Sequence, residues 1–301
     1  MCNDPAIHGP KAAPHEAFMP RRRMLKALGA GGAAATLAAC STNPETGRKQ
    51  FTGLAPSNLS DAAASSWNEM KTKIPTSNDP RYTRRLANIG GRISRGAGRG
   101  DQKWDYEVFD TDDKNAFVLP GNRVGFYKGM MDFTDNDDQI AGIMGHEVGH
   151  ISGKHAQERI STQMAGQLVT VGGTIIGGSQ ISKKCSRYEG AQRNACLRSA
   201  QQKTAALQQA LGLGVLLGIT LPYNRRQEAE SDLLGANYMY RAGYDTRQSV
   251  KLWEKMAANS TSRQPSILST HPDPAWRAQN LADYITRQEK LGSQGFKNIR
   301  T

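Results

Sequence analysis

Along the chain, apolar positions recur first at helical spacing, then alternate as in strands, and return to helical spacing for the rest of the length. Residues 61–73 (DAAASSWNEMKTK) are helix formers closed by Pro75. DPRYTRRLANIGGRISRGA (79–97) places Leu86, Ile89 and Ile93 on one helical face and ends in glycines. The period then falls to two. WDYEVFDT (104–111) alternates as a strand, and NAFVLPGNRVGFYKGMMDF (115–133) reads as a strand, a Pro-Gly-Asn turn and a second strand. From Thr134 the pattern is helical, with Thr134 or Asn136 as N-cap and Ile140, Ile143, Met144, Val148 and Ile151 on the apolar side. NRRQEAESDLLGANYMYRAG (224–243), with Gly243 as C-cap, RQSVKLWEKMAAN (247–259) and PAWRAQNLADYITRQEK (274–290) are three further helices. The fold class predicted is α+β, mainly helical, with a small β-sheet, over residues 61–292 and followed by a tail at 293–301.

Two apolar, glycine-studded stretches, 164–181 and 205–221, flank a polar segment at 182–204. They read as two helices of a buried hairpin. The other reading is a hairpin that touches lipid, but their glutamines and short length argue against a full span.

Composition changes this picture little. The 301 residues are 38% hydrophobic, enough to bury one sizeable core, and the +12 net charge comes from scattered Lys and Arg. No basic arm suggests a nucleic-acid partner, and GRISRGAGRG lacks the Gly-Lys-Ser/Thr of a phosphate loop.

The N-terminus changes it more. RRRMLKALGAGGAAATLAAC (21–40) has a basic start, a short apolar stretch and a small-residue approach to Cys40, the layout of an export signal over residues 1–39. LAAC resembles the lipobox of bacterial lipoproteins, which implies that Cys40 is lipidated and becomes the first residue. RRRMLK resembles a twin-arginine signal with Met24 where Phe is usual, leaving twin-arginine and general secretory export both open. Ser41 at the second position resembles lipoproteins sorted to the outer membrane. Residues 40–60 then form a turn-rich tether. In an oxidising compartment Cys185 and Cys196 are expected to pair, closing a small loop worth roughly 2–3 kcal/mol in the chain-entropy model.

The chemistry concentrates in HEVGH, residues 146–150. Residues four apart on a helix are about 40° apart around its axis, so His146 and His150 project side by side and can share one metal ion. Glu147 can take a proton from water activated by that metal. His155, nine residues after His146, falls about 180° away on a continuing helix and is expected to pack or hydrogen-bond rather than coordinate. Downstream, Glu228 and Asp232 share a helical face, one suited to the metal and one to the back of a ligating histidine, whereas Glu230 is turned about 200° away. Two histidines and one glutamate leave a position for water, as hydrolytic catalysis requires.

HEVGH followed by EAESD resembles the gluzincin zinc peptidases of the HtpX and CaaX-protease type, metallopeptidase family forty-eight. NPETGRKQ, NAFVLPGN and LSTHPDPAWRAQNL resemble its periplasmic lipoprotein members. Ser231 and Asn122 depart from the usual residues of that pattern. The resemblance implies a gluzincin zinc-peptidase domain with one Zn2+ per chain held by His146, His150 and Glu228, and with Glu147 catalytic and Asp232 behind a ligand. His271 would be a gating or transition-state residue. The edge strand Asn115, Ala116, Phe117, Val118 and Leu119 beside the active-site helix would take up extended substrate. The expected function is a lipid-anchored, periplasm-facing endopeptidase acting on misfolded or misassembled envelope proteins. The competing reading is a metal-binding chaperone or assembly lipoprotein with a closed site, against which the intact Glu147 argues.

Overall fold

The computed structural model describes residues 40–166, 189–196, 198, 223–259, 265–292 and 295–296. The chain divides into two compact units, one of residues 1–41, 49–56 and 157–219, the other of 42–48, 57–156 and 220–301. The stretches 164–181 and 205–221, except for 164–166, lie outside the described residues, as does Cys185. Cys40 and Cys196 are each disulfide-bonded. Strands β1 (Cys40–Thr42) and β2 (Lys49–Phe51) pair as a two-stranded sheet. Within the first unit the Leu54 amide donates to Ser161 Oγ at 3.2 Å. No described helix is long and apolar enough to cross a membrane.

The second unit begins its regular structure with α1 (Leu59–Lys73) and α2 (Pro80–Gly96). Pro80 at the first helical position and the Asp79 side chain, which accepts from the Arg81 amide at 2.9 Å, start α2. Strands β3 (Asp105–Phe109), β4 (Ala116–Leu119) and β5 (Arg123–Tyr127) follow, in the order β3-β5-β4. β5 is central, parallel to β3 and antiparallel to β4, so β4 is an edge strand. The period of two splits the sheet cleanly. Val108, Ala116, Val124 and Phe126 join the main core. On the other face Phe109, Phe117 and Tyr127 cluster under Trp67 of α1, with ring centroids 5.4–6.1 Å apart. Gly125 makes this stack possible, since a Cβ there would come within 2.4 Å of the Phe117 ring.

The second strand of the hairpin stops at Tyr127, and KGMMDF, expected to continue it, is instead α3 (Lys128–Phe133). Met130 and Met131 are fully buried in the core, and burying two adjacent methionines on one side suits a helical turn rather than a strand that alternates faces.

α4 (Asp137–Ser152) is capped by Asn136, whose side chain accepts from the Gln139 amide, with Asp137 and Asp138 in its first turn. It is buried on all sides from Gln139 to His150 and is the central helix of the unit. Around it pack α2, β4, α5 (Arg225–Arg241) and α6 (Arg247–Ala258). α7 (Pro274–Lys290) packs on α5 and α6. α5 starts with a complete capping box, Asn224 with Gln227, and ends at Gly243 with φ +74°, the left-handed geometry expected of a helix stop.

Candidate metal centre

The site is set by how closely α4 and α5 cross. A Cβ on Gly145 would lie 2.9 Å from the Gly235 carbonyl oxygen, one on Gly149 2.8 Å from that of Ser231, and one on Gly235 2.8 Å from the His146 nitrogen. The two backbones touch, which presses the HEVGH face of α4 against the Glu228–Asp232 face of α5. Substituting Gly149→Ala is expected to force the helices apart, at an overpacking cost of about 1–3 kcal/mol, and to weaken metal binding with it. Thermal melts with and without chelator measure both, and an unchanged melt would contradict the account of the crossing.

At this crossing His146 Nε2 and His150 Nε2 lie 2.9 Å apart. Glu228 reaches both, with Oε2 3.6 Å from the first nitrogen and Oε1 3.5 Å from the second. His271 comes from the loop between a short 3-10 turn (Ser266–Ser269) and α7. Its amide donates to the Ile267 carbonyl at 2.9 Å, and its Nδ1 lies 3.2 Å from His146 Nε2 and 3.1 Å from Glu228 Oε1. The four residues each offer a donor atom within 4.8 Å of the others, and all are buried. Glu147 is buried too, with Oε1 3.5 Å from His271 Nε2.

Burial keeps His146 and His150 neutral by pushing them well below the usual imidazole range, which leaves lone pairs for a metal. Burial opposes charging His271, but the neighbouring Glu228 and Glu147 carboxylates outweigh it and raise that imidazole. Burial would also raise Glu228, but Arg277, then His271 and His146, hold it well below the ordinary carboxylate range. Glu147, in the same dry interior, is pushed up to about 7 by burial.

Arg277, in the first turn of α7, was not expected at the site. It is fully buried, donates to Asp232 through Nε at 2.9 Å and Nη2 at 2.5 Å, and sets Nη1 2.7 Å from Glu228 Oε2. Its guanidinium lies over the Trp253 ring, 3.4 Å from the centroid. Asp232 Oδ1 is 2.9 Å from His146 Nδ1, so Asp232 stands behind the histidine while Arg277 neutralises it. Tyr223, just before the cap of α5, stacks on the rings of His150 and His271 with centroids 3.8 Å and 5.2 Å away. Lone arginines and tyrosines carry no spacing signal. The one clue to Arg277 was a cation near a helix N-terminus, where the dipole disfavours it unless carboxylates are close.

His155 corrects the helical projection in direction, while keeping the hydrogen-bonding role expected of it. α4 stops at Ser152, Lys154 takes a left-handed φ of +50°, and a new helical stretch starts at 155. His155 therefore does not face away. The break swings its Nδ1 to 2.8 Å from His150 Nδ1, behind the metal-facing nitrogen. Glu230 is turned from the donor cluster as its spacing requires, yet it is buried and its Oε2 lies 2.9 Å from His155 Nε2.

A cation fits this donor set. Three buried acidic side chains (Glu147, Glu228, Asp232) face the Arg277 guanidinium; Glu147 Oε1 makes no hydrogen bond, and Glu228 Oε2 makes none beyond its ion pair with Arg277 Nη1 at 2.7 Å. The Nε2 atoms of His146 and His150 converge with neutral rings, the form that coordinates, whereas Glu228 and Glu147 favour the protonated form of His271.

Comparison with known proteins agrees with this geometry. The chain is 26% identical over 233 residues to the Beta-barrel assembly-enhancing protease of Escherichia coli (strain K12), covering 76% of this chain and 44% of that protein. It is 25% identical over 228 residues to Metalloprotease LoiP of the same organism, covering 76% and 79% of the two chains. To the Mitochondrial metalloendopeptidase OMA1 of Schizosaccharomyces pombe it is 24% identical over 282 residues, covering 90% and 76%. The chain thus spans less than half the length of the first of these relatives. Residues 80–285, most of the chain and all of the donor cluster, match the profile of Peptidase family M48, and the chain belongs to that family.

Proposed function

We propose that this chain is a zinc-dependent endopeptidase of the bacterial cell envelope, acting in quality control of misfolded outer-membrane or periplasmic proteins, with residues 61–292 as its peptidase domain. The observation that carries the reading is the convergence of His146, His150, Glu228 and His271 within 4.8 Å, with Glu147 beside them. His146, His150 and Glu228 would hold the ion; Asp232 fixes the first of these from behind, and Arg277 balances the charge of Asp232. Bound zinc supplies a Lewis acid that polarises water and the scissile carbonyl. Glu147 removes the proton from the attacking water and delivers it to the leaving amine. His271 lies among these donor atoms and would have to give way for water to reach the ion. When substrate displaces it, its imidazole donates to the developing oxyanion.

Substrate enters as an extended segment along β4, an edge strand among the described residues, where backbone pairing gives affinity with little dependence on sequence. The envelope assignment is supported by the export signal, by Cys40 at the end of its small-residue run, and by the bacterial relatives named above. A sulfur in a disulfide has no valence for a lipid thioether, so the anchored form is the chain with the Cys40 bond open.

Metal analysis of the wild type beside Glu228→Ala tests the reading. Wild-type protein purified without chelators is expected to carry one zinc per chain and to cleave casein in a chelator-sensitive way. Glu228→Ala is expected to lose both the zinc and the cleavage. Stoichiometric zinc retained in the variant would remove the third ligand and the mechanism with it.

A further inference from the structure

The loop Asn43–Arg48 lies about a hundred residues before the histidine helix in sequence, yet it closes on the metal centre from behind. Asn43 Nδ2 donates to Glu230 Oε1 at 2.9 Å, the Thr46 hydroxyl donates to the same oxygen, and Arg48 Nε donates to Glu230 Oε2 at 2.5 Å. Asn43, Arg48, Glu230 and His155 are all buried. The loop holds its own shape, with the Asn43 amide donating to the Arg48 carbonyl at 2.8 Å, the Gly47 amide to the Asn43 carbonyl at 2.9 Å, and the Glu45 amide to Asn43 Oδ1 at 2.9 Å. Glu45 Oε1 in turn accepts from the Tyr238 hydroxyl of α5 at 2.9 Å.

From Glu230 the path has one direction. If His150 turns Nε2 to the metal, its proton sits on Nδ1 and donates to His155 Nδ1, 2.8 Å away. His155 then carries its own proton on Nε2 and donates it to Glu230 Oε2 at 2.9 Å. Ser231 Oγ, 3.5 Å from His155 Nδ1, is too distant to replace the imidazole link. Gly153 makes room for the His155 ring, since a Cβ there would come within 2.3 Å of it.

We infer that the Asn43–Arg48 loop is an outer part of the metal centre: by fixing Glu230 it fixes His155, and through His155 the tautomer and ring plane of the ligand His150. These are positioning residues, since none offers an atom to the metal. The inference rests on the zinc reading above and adds a dependence of that site on a segment three residues from Cys40.

Zinc affinity measured by competition with a chromophoric chelator on the full chain, beside the d–d spectrum of the Co2+-substituted protein, tests it. Glu230→Ala and His155→Ala are expected to weaken zinc roughly 10–100-fold, as loss of such supporting partners does elsewhere, and to shift the Co2+ bands. Arg48→Ala is expected to weaken zinc in the same sense by roughly 3–10-fold, because the Glu230–His155 pair survives it. The cycle decides the matter. In a His155→Ala background, Arg48→Ala should have no further effect on zinc, because the link it acts through is gone. Glu230→Gln keeps an acceptor for His155 and should recover part of the loss, and it serves with Asn43→Ala if the alanine variants lose their near-ultraviolet circular dichroism. Unaltered affinity in folded Glu230→Ala and Arg48→Ala beside a zinc-binding wild type, or additive losses in the cycle, overturns this inference alone. A wild type that binds no zinc overturns the zinc reading as well.

Discussion

Substituting Glu147→Gln is expected to abolish peptide hydrolysis while leaving the metal in place. The two side chains have nearly the same shape, and Glu147 is not among the four residues whose donor atoms converge, so the amide leaves the donor set intact. What it removes is the base. Glu147 is buried beside His271, and burial holds its carboxyl near 7, where a group can both accept a proton from water and give it up to an amine. A positioned general base contributes about 10²–10⁴-fold in rate, so casein cleavage should fall at least that far while metal content matches the wild type. Chelator-sensitive cleavage that persists at the wild-type rate would rule out Glu147 as the base. The chaperone reading makes the opposite forecast, since a closed, non-proteolytic site has no rate for this change to lower.

Much of this site was legible because helices obey a fixed angular step. The four-residue spacings His146–His150 and Glu228–Asp232 each had to give one face, and the structure brings these two faces together at a crossing of glycines. The same arithmetic misplaced His155, because it presumes that the helix continues. The break depends on a left-handed lysine after Gly153, a conformation for which Lys154 has no intrinsic preference and which the buried imidazole contacts must sustain. Glu230 shows a second limit. Its direction away from the donor cluster was correctly read, but a buried partner supplied from residue 43 to 48 is a long-range contact that no local period encodes. α3 shows a third, since only the packing reveals that Met130 and Met131 are both in the core, and it is that shared burial which selects a helical turn over a strand that alternates faces.

Replacing Arg277 with methionine is expected to have the largest effect on stability of any single change at the site. The guanidinium is fully buried, and its contacts are charged or aromatic: Asp232 through two hydrogen bonds, Glu228 at 2.7 Å, and the Trp253 face at 3.4 Å. Methionine fills the volume but leaves Asp232 and Glu228 as buried carboxylates without their cation. Breaking a buried pair from one side costs about 3–5 kcal/mol, which for a domain of this size lowers the melting temperature by roughly 6–20 °C. The cost should depend on metal. A divalent ion among His146, His150 and Glu228 restores positive charge beside the same carboxylates, so excess zinc should raise the melting temperature of Arg277→Met more than that of the wild type, whereas with chelator the deficit appears in full. Arg277→Lys keeps the charge but not the planar fork that grips Asp232, and should fall between the two. Equal melting temperatures for wild type and Arg277→Met in chelator would mean that the carboxylates are not ionised against Arg277. The charge imbalance that makes room for a metal cation would then have to be sought elsewhere in the site.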